Sequence, residues 1–443
     1  MLIVLLIIAF GGIIFELIPL GTIVQKGLLF LLLAASLALK GKIKTSPLNL
    51  KLLLPYLIYL FYSALSAWTA SRFDYIAFTS LVALSIGPMF FLYIIQNINN
   101  WYSLKKTRTI ILTICIIQIS FSIYKLLTHG IDEKYLIGTM SNSAGQLGFL
   151  FPALGIPLII FLMKNKSQII MWLLLVGMFG FGIINEKRSA VFLLPLICLL
   201  SLKANEDTKT RSRRLKYFTK YAFITIFLCA ITFLGLSSIP SLNPESKYGS
   251  SIDIKHALKY ATEYLTMDYG DSLQGKYEEA KTDKGIQVGR WTLFSSIIQW
   301  LLVSDLSVKL FGVSIGNATA SLWRENHNDA LFTTIGTRGA ISGFGLTLIE
   351  TGIIGALIMI FFFYNLRKNI YSLARISNDL IYSRWLKTFN ILIYVFIYDY
   401  FFYSTTLLRT LPMPVLFFSA IATLNIKKTN KNKPTLSSEE NGA

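Results

Sequence analysis

The sequence predicts an all-α polytopic membrane protein of about 12 transmembrane helices, with one large extracytoplasmic loop carrying short helices between spans nine and ten. Three observations predict it. Hydrophobic residues make up 54% of 443 and mean hydropathy is +0.57, too apolar for a soluble chain of this length. A helix needs about 20 apolar residues to cross the hydrocarbon, and such stretches recur at 2–19, 21–39, 52–68, 75–96, 109–127, 144–163, 168–185, 189–202, 218–238, 341–365, 388–406 and 409–425. The basic residues cluster after every second stretch, as they do in loops that stay in the cytoplasm.

The alternation runs the length of the chain. Lys40, Lys42, Lys44 and Lys51 follow the second stretch, Lys105, Lys106 and Arg108 the fourth, and Lys164 and Lys166 the sixth. Lys203, Lys209, Arg211, Arg213, Arg214, Lys216 and Lys220 follow the eighth. Arg367, Lys368, Arg375, Arg384 and Lys387 follow the tenth, and Lys427, Lys428, Lys431 and Lys433 the last. An odd number of spans would break this order. The first stretch lacks a basic start and a small-residue cleavage site, so it reads as a span and not a cleaved leader. Both termini are then expected in the cytoplasm.

The organisation that follows is 1–236 as nine membrane helices, 237–340 as the large extracytoplasmic loop, 341–426 as three more helices, and 427–443 as a polar, disordered cytoplasmic tail. The shorter outside loops are 128–143 and 186–188. Within the large loop, Ile254, Leu258, Ala261 and Leu265 fall at helical spacing opposite Lys255, Lys259 and Glu263. Trp291 to Leu302 reads as a second helix, and the intervening 267–284 as solvated. These two helices are expected to lie against the outer membrane face or to cap the bundle.

Composition also excludes functions. The net charge of +19 sits in short loops, where it orients spans and needs no nucleic-acid partner. Cys115, Cys198 and Cys229 lie inside apolar runs, spaced as packing residues, and no disulfide is expected. The three histidines are scattered, and no cluster of His, Cys or carboxylates has metal-ligand spacing. Neither a metal nor a cofactor is expected. The chain has no dinucleotide fingerprint or kinase set.

Candidate chemistry gathers outside the cytoplasm. Lys187 and Arg188 stand in a very short outer turn, where they either snorkel to lipid phosphate or clamp a phosphate of a lipid-linked substrate. Arg290, in Gly289-Arg290-Trp291, opens a helix, and arginines and helix starts both suit anions. The glycines of Phe311-Gly312-Val313-Ser314-Ile315-Gly316 would let backbone approach a substrate closely. His327, in Asn326-His327-Asn328-Asp329, could accept a proton from a sugar hydroxyl, with Asp329 or Glu186 as substitutes.

Taken in order, Gly138-Thr139-Met140-Ser141-Asn142, Lys187-Arg188-Ser189-Ala190, Gly289-Arg290-Trp291, Phe311 to Gly316, and Ser342-Gly343-Phe344 leading into Leu348-Ile349-Glu350-Thr351-Gly352 resemble the bacterial O-antigen ligase and polymerase superfamily. The resemblance spans about residues 135 to 360. It implies an integral-membrane glycosyltransferase of the bacterial inner membrane, acting on undecaprenyl-diphosphate-linked glycans in the synthesis of lipopolysaccharide or a related polysaccharide. It implies Arg188 and Arg290 as the arginines that hold the diphosphate; beside them, His327 is the candidate base and Lys187, Arg338 and Asn142 are expected as further substrate contacts. A chain-length regulator and a flippase are the implied protein partners. Family ligases carry a histidine about nine residues before Glu-x-Gly. Here Ile341 and Ser342 stand there, which favours a polymerase over a ligase moving finished polymer to a lipid or protein acceptor. A flippase is the competing class, but it would need related halves and charge inside several spans. Among the spans only Glu16, Glu350 and Asp399 are acidic.

Overall fold

The computed structural model describes residues 21–39, 47–70, 74–97, 101–129, 138–139, 147–163, 168–184, 188–205, 286–288, 290–318, 337–339, 341–376, 380–409, 411 and 413–424, with isolated positions 227, 230 and 255. The described chain is overwhelmingly helical. The helices are α1 (Gly21–Leu39), α2 (Pro47–Thr69), α3 (Tyr75–Asn97), α4 (Trp101–His129), α5 (Leu147–Met163), α6 (Gln168–Ile184) and α7 (Arg188–Ala204). After them come β1 (Ile286–Val288), α8 (Arg290–Val303), α9 (Leu306–Phe311) and β2 (Thr337–Gly339). The chain closes with α10 (Gly343–Ile376), α11 (Leu380–Tyr398), a π-turn (Asp399–Tyr403), α12 (Thr406–Arg409) and α13 (Met413–Ala422).

Among the described residues, five helices are long and apolar enough to cross a membrane, at Leu50–Thr69, Tyr75–Asn97, Thr107–Lys125, Gly343–Ala374 and Leu380–Tyr403. Shorter apolar helices accompany them, among them Leu147–Met163, Gln168–Gly182 and Met413–Ala422. By length and composition this is a membrane protein. The expected stretches 2–19 and most of 218–238, the helix around Ile252–Tyr264, and the tail 427–443 lie outside the described residues.

Prolines 55, 88, 152, 157 and 195 fall inside these helices. A soluble helix would break at such positions, whereas apolar bundles tolerate them because neighbouring groups meet the freed carbonyls. The hydrophobic core is one contiguous cluster in which α10 packs along α2, α13 and α1 along α3, and α5 against α4, α6, α7 and α11. Cys115 and Cys198 are buried free thiols inside it.

Two ends of the bundle can be told apart by their bonds. At one end, Asn365 Nδ2 donates to the Lys51 carbonyl at 2.6 Å, Asn205 Nδ2 to Thr388 Oγ1 at 3.2 Å, and Trp385 Nε1 to Thr423 Oγ1 at 3.0 Å. Lys51, Lys203, Arg367, Lys368, Arg384 and Lys387 belong to this end by their places in the helices. Arg108 is there too, but not in a loop. It is buried inside α4, its guanidinium 4.1 Å from the Trp385 ring centroid and 4.8 Å from that of Phe161. A planar, weakly hydrated cation stacked on two rings can be enclosed where an ammonium would need water. The helices run past the apolar stretches that announce them. α4 begins at Trp101 and α10 continues to Ile376, so several basic residues expected in loops are helical.

Candidate functional site

The opposite end of the bundle gathers the segment 286–318. β1 and β2 pair in parallel, with Ile286 beside Thr337, Gln287 beside Arg338 and Val288 beside Gly339. Two residues after Val288, Arg290 begins α8, and four residues after Gly339, Gly343 begins α10. The short pair therefore brings the backbone of Arg338 next to the approach to Arg290, and it sets two helix starts side by side. α8 packs against both β2 and α10. The backbone positions of Arg290 and Arg338 therefore lie close to two helix starts, of which that of α10 has its first N–H taken up by the Ser404 carbonyl.

Arg188 begins α7. That helix reaches the basic end through Asn205 and is about 25 Å long at 1.5 Å per residue. Its first residue consequently lies towards the same end as Arg290 and Arg338. Asn142, Lys187 and His327, and with them Glu186 and Asp329, fall outside the described residues.

What anchors the segment 286–318 to the bundle is a loop seated in a broken helix. α10 is interrupted at Gly352, where φ is 66° and ψ −168°. The carbonyls at the interruption are met from outside the helix. Val313 N–H donates to Ile349 O at 2.9 Å, and Ser66 Oγ donates to Glu350 O at 3.2 Å. Leu310 O accepts from the Tyr62 hydroxyl at 2.7 Å, and Phe311 O accepts from Ser66 Oγ. The Tyr62 ring also stacks on Phe311, with centroids 5.9 Å apart and planes at 17°.

The buried Glu350 carboxylate completes the seat. Its Oε1 accepts from Gly316 N–H at 2.9 Å and from Ala318 N–H at 3.4 Å. A carboxylate removed from water needs such donors. The glycines of this loop do approach something closely, but it is the protein itself. A Cβ on Gly312 would overlap the Glu350 backbone, and one on Gly352 would overlap the Leu310 carbonyl. Gly312, Ser314 and Gly316 all have positive φ, and Ser314 is fully buried.

Two more polar clusters hold this end. Gly138 N–H donates to Ser122 Oγ at 2.6 Å, and Thr139 donates to Gln118 Oε1 through its N–H at 2.9 Å and its hydroxyl at 3.0 Å. The turn preceding Asn142 is thereby tied to α4. Asp399, buried in the π-turn, accepts from Ser404 Oγ and, at 3.2 Å, from Leu407 N–H, while Ser404 O accepts from Gly343 N–H at 2.8 Å. Asp399 thus fixes the turn on which α10 begins.

Sequence reasoning noted Asp399 only as a rare charge in a span, and Glu350 as that and as the acid of the Glu-x-Gly piece of the resemblance, without assigning either a contact. The signal that could have assigned Glu350 is its place two residues before a glycine in an apolar run, with a glycine-rich loop about 35 residues earlier. Among the described residues, no group of three or more His, Cys, Asp or Glu could hold a metal ion. A scan against protein-family models finds no match to this chain, and neither does a search of curated proteins.

Proposed function

We propose that the chain is a glycosyltransferase of the bacterial inner membrane, with twelve spans and both termini cytoplasmic, that polymerises undecaprenyl-diphosphate-linked oligosaccharide repeat units on the outer face. What supports this reading is the backbone placement of three arginines. The β1–β2 register sets Arg338 beside the strand that leads into Arg290 at the start of a 14-residue helix, and Arg188 opens another helix at the same end. A diphosphate with a glycan on one side and a lipid on the other matches that place, because its charge sits at the level where the apolar spans end.

The hydroxyl oxygen of an acceptor sugar attacks the anomeric carbon of the donor, and the bond from that carbon to the phosphate oxygen breaks. Undecaprenyl diphosphate leaves with the bonding pair, and His327 takes the hydroxyl proton. Arg188 and Arg290 stabilise the charge that grows on the leaving group, the largest contribution a protein makes to such a step. Arg338, Lys187 and Asn142 hold the donor. The glycosyl diphosphate bond supplies the driving force.

The test is Arg290→Ala in a strain that inserts the variant at normal levels. Polymer should vanish, with a rate loss of about 10²-fold or more if one charge-stabilising donor is removed. Full-length polymer in that strain would refute the assigned role. In a deletion strain, full-length polymer left on the carrier lipid would mark a ligase, and single repeat units a polymerase.

A further inference from the structure

Helix α8 changes character along its length. Leu293, Ile297 and Leu301 form its buried stripe. Away from that stripe, Ser295 and Ser296 stand in the half nearer Arg290, and Gln299 follows Ile298 in the other half. From Ile298 through the last turn to the start of α9, Ile298, Leu302, Val303 and Leu306 are exposed by 37%, 70%, 84% and 71%. The exposed side is therefore mostly apolar towards the end of α8, with Gln299 within it and Ser304 and Asp305 at the corner between the helices.

Depth explains the change. Leu50–Thr69 is 20 residues long, one hydrocarbon thickness. Tyr62 and Ser66, which hold Leu310 and Phe311, lie seven and three residues before its end, about 10 and 5 Å inside it at 1.5 Å per residue. On α10 the same loop meets Gly352, nine residues and about 13 Å from Gly343. Residues 310–313 are therefore seated below the level where the spans begin. Irregular backbone at that depth survives only where protein encloses it, as Ile349, Glu350 and Ser66 enclose this loop. α9, which leads down to it, has no such cover on its outer side among the described residues.

We propose that α8 is tilted into the leaflet at this end of the bundle, so that the corner of Ile298, Leu302, Val303 and Leu306 is embedded among lipid acyl chains while the Arg290 start stays in water. The occupant of this apolar face is lipid. A helix anchored in this way holds its arginine end at a fixed height, where a lipid-borne anion arrives sideways. The inference rests on the membrane character of the bundle and on no step of the proposed reaction.

Site-specific photocrosslinking of the full chain in vesicles of phosphatidylethanolamine and phosphatidylglycerol tests it. A benzophenone amino acid placed singly at Leu302, Val303 or Leu306 should give adducts with the mass of one phospholipid. Their yield should exceed that at Ser295 by about threefold or more, as expected for an interfacial helix with one wet end. Gln299 should fall between them. Photo-leucine at Leu302 and Leu306, nearly the size of leucine, repeats the measurement where the bulkier probe prevents folding. Covalent dimers from these positions would assign the face to a second copy and overturn the proposal. Equal, low lipid yields at all five positions would also overturn it.

Discussion

Glu350 is a carboxylate inside an apolar bundle, and the backbone of a loop more than thirty residues away keeps it there. Two N–H groups converge on its Oε1. Glu350→Gln retains a carbonyl oxygen for the shorter of these bonds and should leave the protein folded. Glu350→Leu strands both donors, at a cost of about 1–3 kcal/mol for each buried group left unpaired, and should lower the melting temperature in detergent well below that of the Gln variant. Equal melting of the two would show that the carboxylate seat contributes nothing. Gly352 offers a second test. Its positive φ alone makes Ala cost about 1–3 kcal/mol, and the new Cβ would meet the Leu310 carbonyl. Gly177, in the middle of α6, has nothing within 4 Å of a built Cβ, so Gly177→Ala should be neutral or stabilise by up to about 1 kcal/mol. Thermal unfolding of the pair should separate them in that direction.

At the level of elements, the strand pair carries the candidate site and is the part the sequence conceals. Ile286-Gln287-Val288 and Thr337-Arg338-Gly339 are three residues each. That is too short for a period of two to register, and one of them ends in glycine. The helices were far more legible, because a long apolar run fixes both its type and its approximate place. Trp291 to Leu302 was readable as a helix, and α8 spans Arg290–Val303. What could not be read was where helices stop beyond the hydrocarbon. Basic residues such as Arg367 and Arg384 suit a solvated helix as well as a loop. The glycines of 312–316 read as an approach to a substrate, whereas the structure turns them to α10. The pairing itself can be tested. Cysteines at Ile286 and Thr337 sit in register, about 4.8 Å apart as neighbouring strands are, and should form a disulfide under mild oxidation. Ile286 with Gly339, offset by two residues and thus about 8 Å apart, exceeds disulfide reach and should not. Proteolysis between the positions followed by non-reducing gels reads the result. A crosslink in the second pair alone would overturn the register.

For the whole molecule, the separation of its two ends is the organising fact. Lys51, Arg108, Lys203, Arg367, Lys368, Arg384 and Lys387 gather at one end, and the segment 286–318 at the other. Cationic loops are retained in the cytoplasm, so reporter fusions have defined outcomes. Alkaline phosphatase joined after residue 210 should be inactive, and joined after residue 318 active, while green fluorescent protein should show the reverse. Phosphatase activity at both junctions would break the alternation.

The seated loop also bears on how the chain is made. A ribosome delivers α2 first, then residues 310–318, then α10, so the receptor hydroxyls of Tyr62 and Ser66 are waiting before the interrupted helix emerges. α10 cannot be released into lipid as a finished rod, because the kink at Gly352 leaves carbonyls that only its predecessor can satisfy. Its insertion is coupled to docking, and a deletion of one residue between 310 and 318 should send the nascent protein to quality-control proteolysis and not to the membrane.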